Sequence, residues 1–230
     1  FLYTIGVVAD AKFVVWDLLT GCIVSNVRYI VRLDTTRPKP IDCACWGGRK
    51  VDVKRRDTDC FQLATGGEGA LKLWTLDPAT GGLAPEPCST SVSRNYTALA
   101  FSTDRAYVYA GSTSGDFMAV HVRQRVMHSV TTACSGPVRV LVVMAGPGLD
   151  DTRDRLLIGG GDGTVGVFMG DGRSYTMLAS LTLEGGVSSL SLLGVGDDGA
   201  LHLLGGTTAA KVCELRLSTA GSAGRVVQEC

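Results

Sequence analysis

Proline and histidine are scarce in this chain, with seven of the first and three of the second in 230 residues. Few prolines leave long stretches able to pair as strands, because proline removes a ladder donor. Three histidines, His121, His128 and His202, supply little material for acid–base chemistry at neutral pH. Net charge is absent too: 22 Lys+Arg balance 22 Asp+Glu, so the total gives no support to nucleic acid or an anionic membrane as partner. No apolar segment approaches the roughly 20 residues of a membrane-spanning helix. No apolar run keeps helical spacing beyond one turn, so helix is expected to be nearly absent. Of the eight cysteines none forms a C-x-x-C pair, and Cys43 and Cys45, two apart, share one face of a strand. They read as buried free thiols of a reducing compartment, not as a disulfide framework or zinc site. Asn95-Tyr96-Thr97 fits a glycosylation pattern but opens a strand run, and reads as chance.

What the chain does have is glycine, thirty residues of it, placed periodically. A short strand ends near Gly6, Gly66, Gly111, Gly160 and Gly205, and a second strand then ends on a large apolar residue, Trp16, Trp74, Val120, Phe168 or Leu215. The apolar ends are spaced by 58, 46, 48 and 47 residues, and the long first step contains an insertion, 47–59, of loop composition. Each unit holds four apolar or alternating runs, for example 96–101, 107–110, 117–121 and 126–130. The pairs Glu68-Gly69, Ser114-Gly115 and Asp162-Gly163 sit where a tight hairpin needs φ > 0. Four strands per unit at a fixed period predict an all-β fold, a β-propeller of the WD40 class, with Trp16-Asp17 as the WD dipeptide. Blades are expected at 1–30 (partial, without its inner strand), 40–92, 96–132, 137–183 and 187–230. The start inside a strand reads as a portion of a larger ring, about five blades of seven. The five apolar ends are expected to be equivalent core positions.

Gly161 to Gly166 satisfies the dinucleotide pattern G-x-G-x-x-G, but its continuation through Phe168 is β-branched and aromatic where a helix N-terminus would have to meet a pyrophosphate. The segment therefore reads as a turn into a strand. Asp104, Asp150, Asp151, Asp154, Asp197 and Asp198 read as turn residues, and no inner strand offers one acid per blade as a channel-based enzyme would need. No catalytic residue, cofactor, metal or small-molecule substrate is expected. Charge is uneven: 1–57 holds ten Lys/Arg against six acids, and 150–230 six against ten. Nine of the 22 basic residues lie between Arg28 and Arg56, through Arg32, Arg37 and Lys39 to a cluster of Arg49, Lys50, Lys54, Arg55 and Arg56 in the insertion. That cluster is either a solvated loop or a contact to an acidic protein surface.

Segment 61–74 (FQLATGGEGALKLW) is a generic WD repeat. Segments 108–116 (VYAGSTSGD), 156–163 (LLIGGGDG) and 183–194 (LEGGVSSLSLLG), in this order, resemble the cilia- and flagella-associated protein 52 family. The likeness covers nearly the whole chain and is weakest between Arg28 and Asp59. It implies a non-enzymatic protein of the ciliary axoneme with two tandem seven-bladed propellers. It also implies a place in the lumen of doublet microtubules, with tubulin and other luminal proteins such as enkurin as partners. From the residues alone, an adaptor propeller of a signalling or ubiquitin-ligase complex and a propeller enzyme remain alternatives.

Overall fold

Runs such as Phe-Val-Val-Trp and Phe-Met-Ala-Val alternate or concentrate β-branched and aromatic side chains, which suit a pleated, half-buried surface. The chain's structure, a computed structural model, describes residues 1–6, 12–28, 40–146, 153–218 and 222–229. Among them nineteen strands follow one another and no helix occurs. The first blade is β1 (Leu2–Ile5), β2 (Lys12–Trp16) and β3 (Ile23–Arg28). The second is β4 (Ile41–Val51), β5 (Asp57–Gly67), β6 (Ala70–Asp77) and β7 (Gly82–Pro87). The third is β8 (Tyr96–Phe101), β9 (Tyr107–Ser112), β10 (Asp116–His121) and β11 (Val126–Thr132). The fourth is β12 (Val138–Ala145), β13 (Asp154–Gly160), β14 (Thr164–Gly170) and β15 (Tyr175–Thr182). The fifth is β16 (Val187–Val195), β17 (Leu201–Thr207), β18 (Val212–Leu217) and β19 (Ser222–Glu229).

Successive strands of each blade pair antiparallel. The exception to a blade-by-blade arrangement is β19, which also pairs parallel with β15 through Ala179–Ser222 and Ser180–Ala223, so the last two blades share one eight-stranded sheet. The predicted turn glycines take left-handed conformations, with φ of 62° at Gly69, 80° at Gly115 and 88° at Gly163. Arg32, Arg37, Lys39, Asp150 and Asp151 lie outside the described residues.

The core lies between blades. Phe13, Val15, Leu63, Trp74 and Leu76 fill the first seam. Ala64, Leu73, Tyr96, Val108 and Val120 fill the second, and Tyr109, Phe117, Val138, Leu156 and Phe168 the third. Leu157, Val167, Val187, Leu203 and Leu215 fill the fourth. The periodic glycine follows from this packing. A Cβ at Gly66 would meet Tyr96 Cβ at 2.8 Å, one at Gly111 would meet Val138 Cγ1 at 2.4 Å, and one at Gly159 would meet Val187 Cγ1 at 2.6 Å. Each is the first residue of the next blade's inner strand. In the fourth blade the spacing glycine is thus Gly159, not Gly160.

Trp74, Val120, Phe168 and Leu215 are buried as expected. Trp16 departs from the set and is only half-buried. Its indole repeats the bond of its counterpart: Trp74 Nε1 donates to Thr65 Oγ1 at 2.8 Å and Trp16 Nε1 to Thr4 Oγ1 at 3.1 Å. Trp74, however, packs edge-on against Phe13 of the preceding blade, with ring centroids 5.2 Å apart. Among the described residues no strand pairing joins the first blade to the last, and Leu2, on the face of Trp16, is 48% exposed.

Two further expectations are corrected. Asp154 is no turn residue: it opens β13, buried, and accepts the Tyr109 hydroxyl at 2.6 Å together with the Thr103 amide and hydroxyl. The insertion 47–59 is not a loop. β4 and β5 run through it as a long hairpin whose tip alone, around Asp52 to Arg56, is a turn. Register shifts between Trp46 and Gly48 and between Arg49 and Val51 absorb the irregular alternation.

Candidate functional site

The hairpin tip is organised by Asp52. Its carboxylate accepts the amides of Lys54 (2.7 Å) and Arg56 (3.0 Å) and both Nε and Nη2 of Arg56 (2.9 and 2.8 Å). Bonds from Arg56, backbone first, hold the Asp52 carboxyl below its usual range. Arg56 is therefore occupied, and Lys54 points into solvent. Arg49 lies with Cζ 6.0 Å from the Phe61 ring and gives its carbonyl to Arg105 Nη1 at 2.9 Å. Lys50 is half-buried and donates from Nζ to Thr75 Oγ1 at 3.0 Å. Arg55, 81% exposed, stands 4.0 Å from Asp104 of the third blade.

Lys50 and Arg55, alone among the five predicted residues, line a cleft of about 440 Å³ between the second and third blades. The cleft's other cations were not anticipated from the sequence. Arg105 comes from the β8–β9 turn, and Arg123 and Arg125 come from the β10–β11 turn. Arg105 is paired with Asp57 at 2.9 Å and Arg125 with Glu86 at 3.1 Å. Val51, Val53, Ala106 and Val122 form the apolar wall.

A signal for these residues was present in the turns. Arg55, Arg105 and Arg125 all adopt left-handed φ, at 59°, 61° and 58°. Corresponding turns of other blades use glycine there: Gly199 bonds back to Gly196 as Arg55 does to Asp52 and Arg105 to Ser102, and Gly21 bonds back to Asp17 as Arg125 does to His121. A side chain in that region costs on the order of 1 kcal/mol relative to glycine. Three arginines at glycine positions around one cleft are its main compositional oddity.

At the floor of the cleft lies Gln62, 5% exposed, with Oε1 buried and unpaired. It is paired in register with Thr75 on β6, so the Lys50 ammonium bound to Thr75 sits alongside its carboxamide.

Of the other sequence-level features only His121 reaches the cleft, at its edge. His121 and His128 stack with centroids 5.1 Å apart, and His128 shares Nδ1 with the Tyr107 hydroxyl and Nε2 with Gln124. Burial, then His128 and Arg123, lower the affinity of His121 for a proton. Both rings are committed to a packed hairpin edge. Gly161 to Gly166 forms the β13–β14 turn and the start of β14, with Asp162 Oδ1 accepting the Thr164 amide at 3.0 Å. The inner strands β4, β8, β12 and β16 carry one carboxylate, Asp42. Among the described residues no three His, Cys, Asp or Glu gather as a metal site. Burial pushes the Cys43 and Cys45 thiols up to about 12, while Cys22 is exposed.

No family model matches the chain. Among curated proteins it is 28% identical over 136 residues to cilia- and flagella-associated protein 52 of Bos taurus, covering 58% of this chain and 21% of that protein. It is 23% identical over 206 residues to the protein of the same name from Chlamydomonas reinhardtii, covering 89% of this chain and 30% of that protein. The chain thus matches less than a third of the length of these relatives. Among solved structures it is similar to the β-propeller domain of Cps50 (Swd1) from Myceliophteria thermophila, with a TM-score of 0.63, 16% identity, and coverage of 99% of this chain and 69% of that one. The computationally designed protein Ika8 superposes with a TM-score of 0.62 at 16% identity over 99% of this chain and 60% of that one. With a first blade of three described strands and four of four, packed through consecutive seams, the chain has a β-propeller fold.

Proposed function

We propose that this chain is part of a non-enzymatic scaffold of the cilium or flagellum, a WD40-type propeller built into the axoneme. The observation that carries the reading is the alignment to the Chlamydomonas reinhardtii relative, which runs through 89% of the chain. By analogy with that family, the position is the lumen of doublet microtubules, with tubulin and luminal proteins such as enkurin as partners. A rigid ring that offers many loops suits such assembly. Inner strands with one carboxylate, and His121 and His128 locked in a hairpin edge, favour contact over catalysis. The hairpin of Arg49, Lys50, Lys54, Arg55 and Arg56 is one contact surface, directed at an acidic protein.

The test is to tag the full-length protein in a ciliated cell and extract its axonemes. Retention through 1 M salt is expected, because exposed charge pairs are screened within about 3 Å there while an embedded protein stays. Recovery in soluble cytosol, with none in washed axonemes, overturns the ciliary role. A pull-down returning kinase or ligase subunits in place of tubulin assigns an adaptor role instead.

A further inference from the structure

We propose that the cleft between the second and third blades docks an extended acidic peptide of a protein partner, with the Gln62 carboxamide reading the peptide main chain and Lys50 and Arg123 its carboxylates. The inference deepens the scaffold reading, and rests on it only in taking the partner to be a protein.

The first support is Gln62. Buried amides are nearly always hydrogen-bonded, yet this one has a buried acceptor without a partner and lies where the cleft reaches the sheet. A carboxamide carries one acceptor and an N–H donor side by side, the complement of a peptide C=O and N–H. Turning the amide over leaves the same pair of functions, so the match does not depend on which atom is oxygen.

The second support is charge. The lining carries five cations, Lys50, Arg55, Arg105, Arg123 and Arg125, against three carboxylates, Asp52, Glu86 and Asp104. Arg105 and Arg125 are already paired and form the rim. Lys50 is held by a neutral hydroxyl, and Arg123 has no carboxylate at ion-pair distance among the described residues. Two cations lining one cleft with an unpaired amide call for carboxylates attached to something that also offers amides. The arginines at glycine positions have the same sense: these turns accept backbone strain and keep charge at the mouth.

The third support is size and wall. A cleft of about 440 Å³ falls in the range of organic-ligand sites and exceeds one inorganic anion. Its apolar wall is aliphatic, Val51, Val53, Ala106 and Val122, which suits a short aliphatic side chain between acidic ones. A nucleobase would be favoured by a broader aromatic face than the edge-packed His121 offers.

The test is fluorescence anisotropy of a labelled peptide, Ala-Glu-Val-Glu-Ala-Glu-Val-Glu, with the chain in 150 mM salt. Saturable binding is expected. K50Q/R123Q should weaken it at least tenfold, consistent with roughly 1.5–3 kcal/mol for a hydrogen bond to a charged group. Q62M, near in volume, should weaken it about five- to tenfold, the factor matching roughly 1–1.5 kcal/mol for a lost hydrogen bond, while the melting temperature stays equal or rises. R139Q/R173Q, exposed on the fourth blade and outside the cleft, should change affinity less than about twofold at this screening length. No saturable binding overturns the proposal. So does equal weakening by R139Q/R173Q, which would mean a diffuse field, or full displacement by equimolar phosphate or ATP, which would mean an anion or nucleotide site. Unchanged affinity in Q62M removes main-chain reading, and should Q62M misfold, the K50Q/R123Q pair decides. Axoneme extraction tests location and anisotropy tests the cleft, so the two readings fail separately.

Discussion

Tyr109 of the third blade donates its hydroxyl to Asp154 Oδ2 of the fourth at 2.6 Å, inside the seam that their blades share. Asp154 takes its other bonds, from the Thr103 amide and hydroxyl, on Oδ1. Burial raises the pKa of Tyr109 further than Tyr175 and the Asp154 carboxylate do, so it stays a donor at every physiological pH. Tyr109→Phe therefore leaves one oxygen of a buried carboxylate unpaired. A loss of about 1–3 kcal/mol in urea unfolding is expected, and a change within about 0.5 kcal/mol, the scatter of surface substitutions, would refute the role of this bond.

The two tryptophans separate sequence equivalence from structural equivalence. Trp74→Ala, in a closed seam at 2% exposure, should cost about 3–5 kcal/mol. Trp16→Ala, with the same indole bond but an open face, should cost about 1–2 kcal/mol, because much of its surface is already in water. Chemical denaturation of the two variants measures the difference, and equal losses would contradict the seam assignment.

Thiol chemistry should follow burial. At pH 7.5 a disulfide-exchange reagent is expected to modify exposed Cys22 quickly. Cys43 and Cys45, with thiols pushed up to about 12, should react only after unfolding, since the thiolate is the nucleophile. Peptide mapping by mass spectrometry reads the order, and fast labelling of Cys45 in native protein would contradict it.

The pH dependence has two windows. His121 has a lowered pKa in the fold, so the unfolded chain binds its proton more readily. That contribution is full above the unfolded value of about 6.5 and is lost as pH falls through it. The urea midpoint should be higher at pH 7.5 than at 5.5, and His121→Gln should narrow the gap. Asp52, Asp162 and Glu184 also have lowered values, but their stabilisation is lost only as pH falls below about 4. An unchanged gap in His121→Gln would assign the upper window to another group.

Much of the fold was legible because two landmarks keep one period. The glycine marks where the next blade's first inner residue passes, and the apolar end marks the seam. Trp16 could not be graded this way, since its burial depends on which neighbour covers the face. The long hairpin stayed hidden because Gly47 and Gly48 and the register shifts interrupt the period of two. Asp154 looks like any acid near a glycine until the Tyr109 hydroxyl is brought to it from 45 residues away. Of the basic cluster, the charge was visible but the partition was not: Lys50 turns back onto Thr75 of its own blade, and the Asp52 cap ties up Arg56. Gln62 carries no signal in sequence, because an unpaired amide exists only once the strands have formed.

The spacing glycines bear on how the molecule is made. Gly66 is complemented only when Tyr96 has been synthesised, Gly111 only with Val138, and Gly159 only with Val187. Each of these three blades thus waits for the opening residue of its successor before its second strand is fully covered. On a ribosome that delivers the N-terminal units first, maturation should advance as a wave one blade behind the growing end, each step governed by its nearest neighbour.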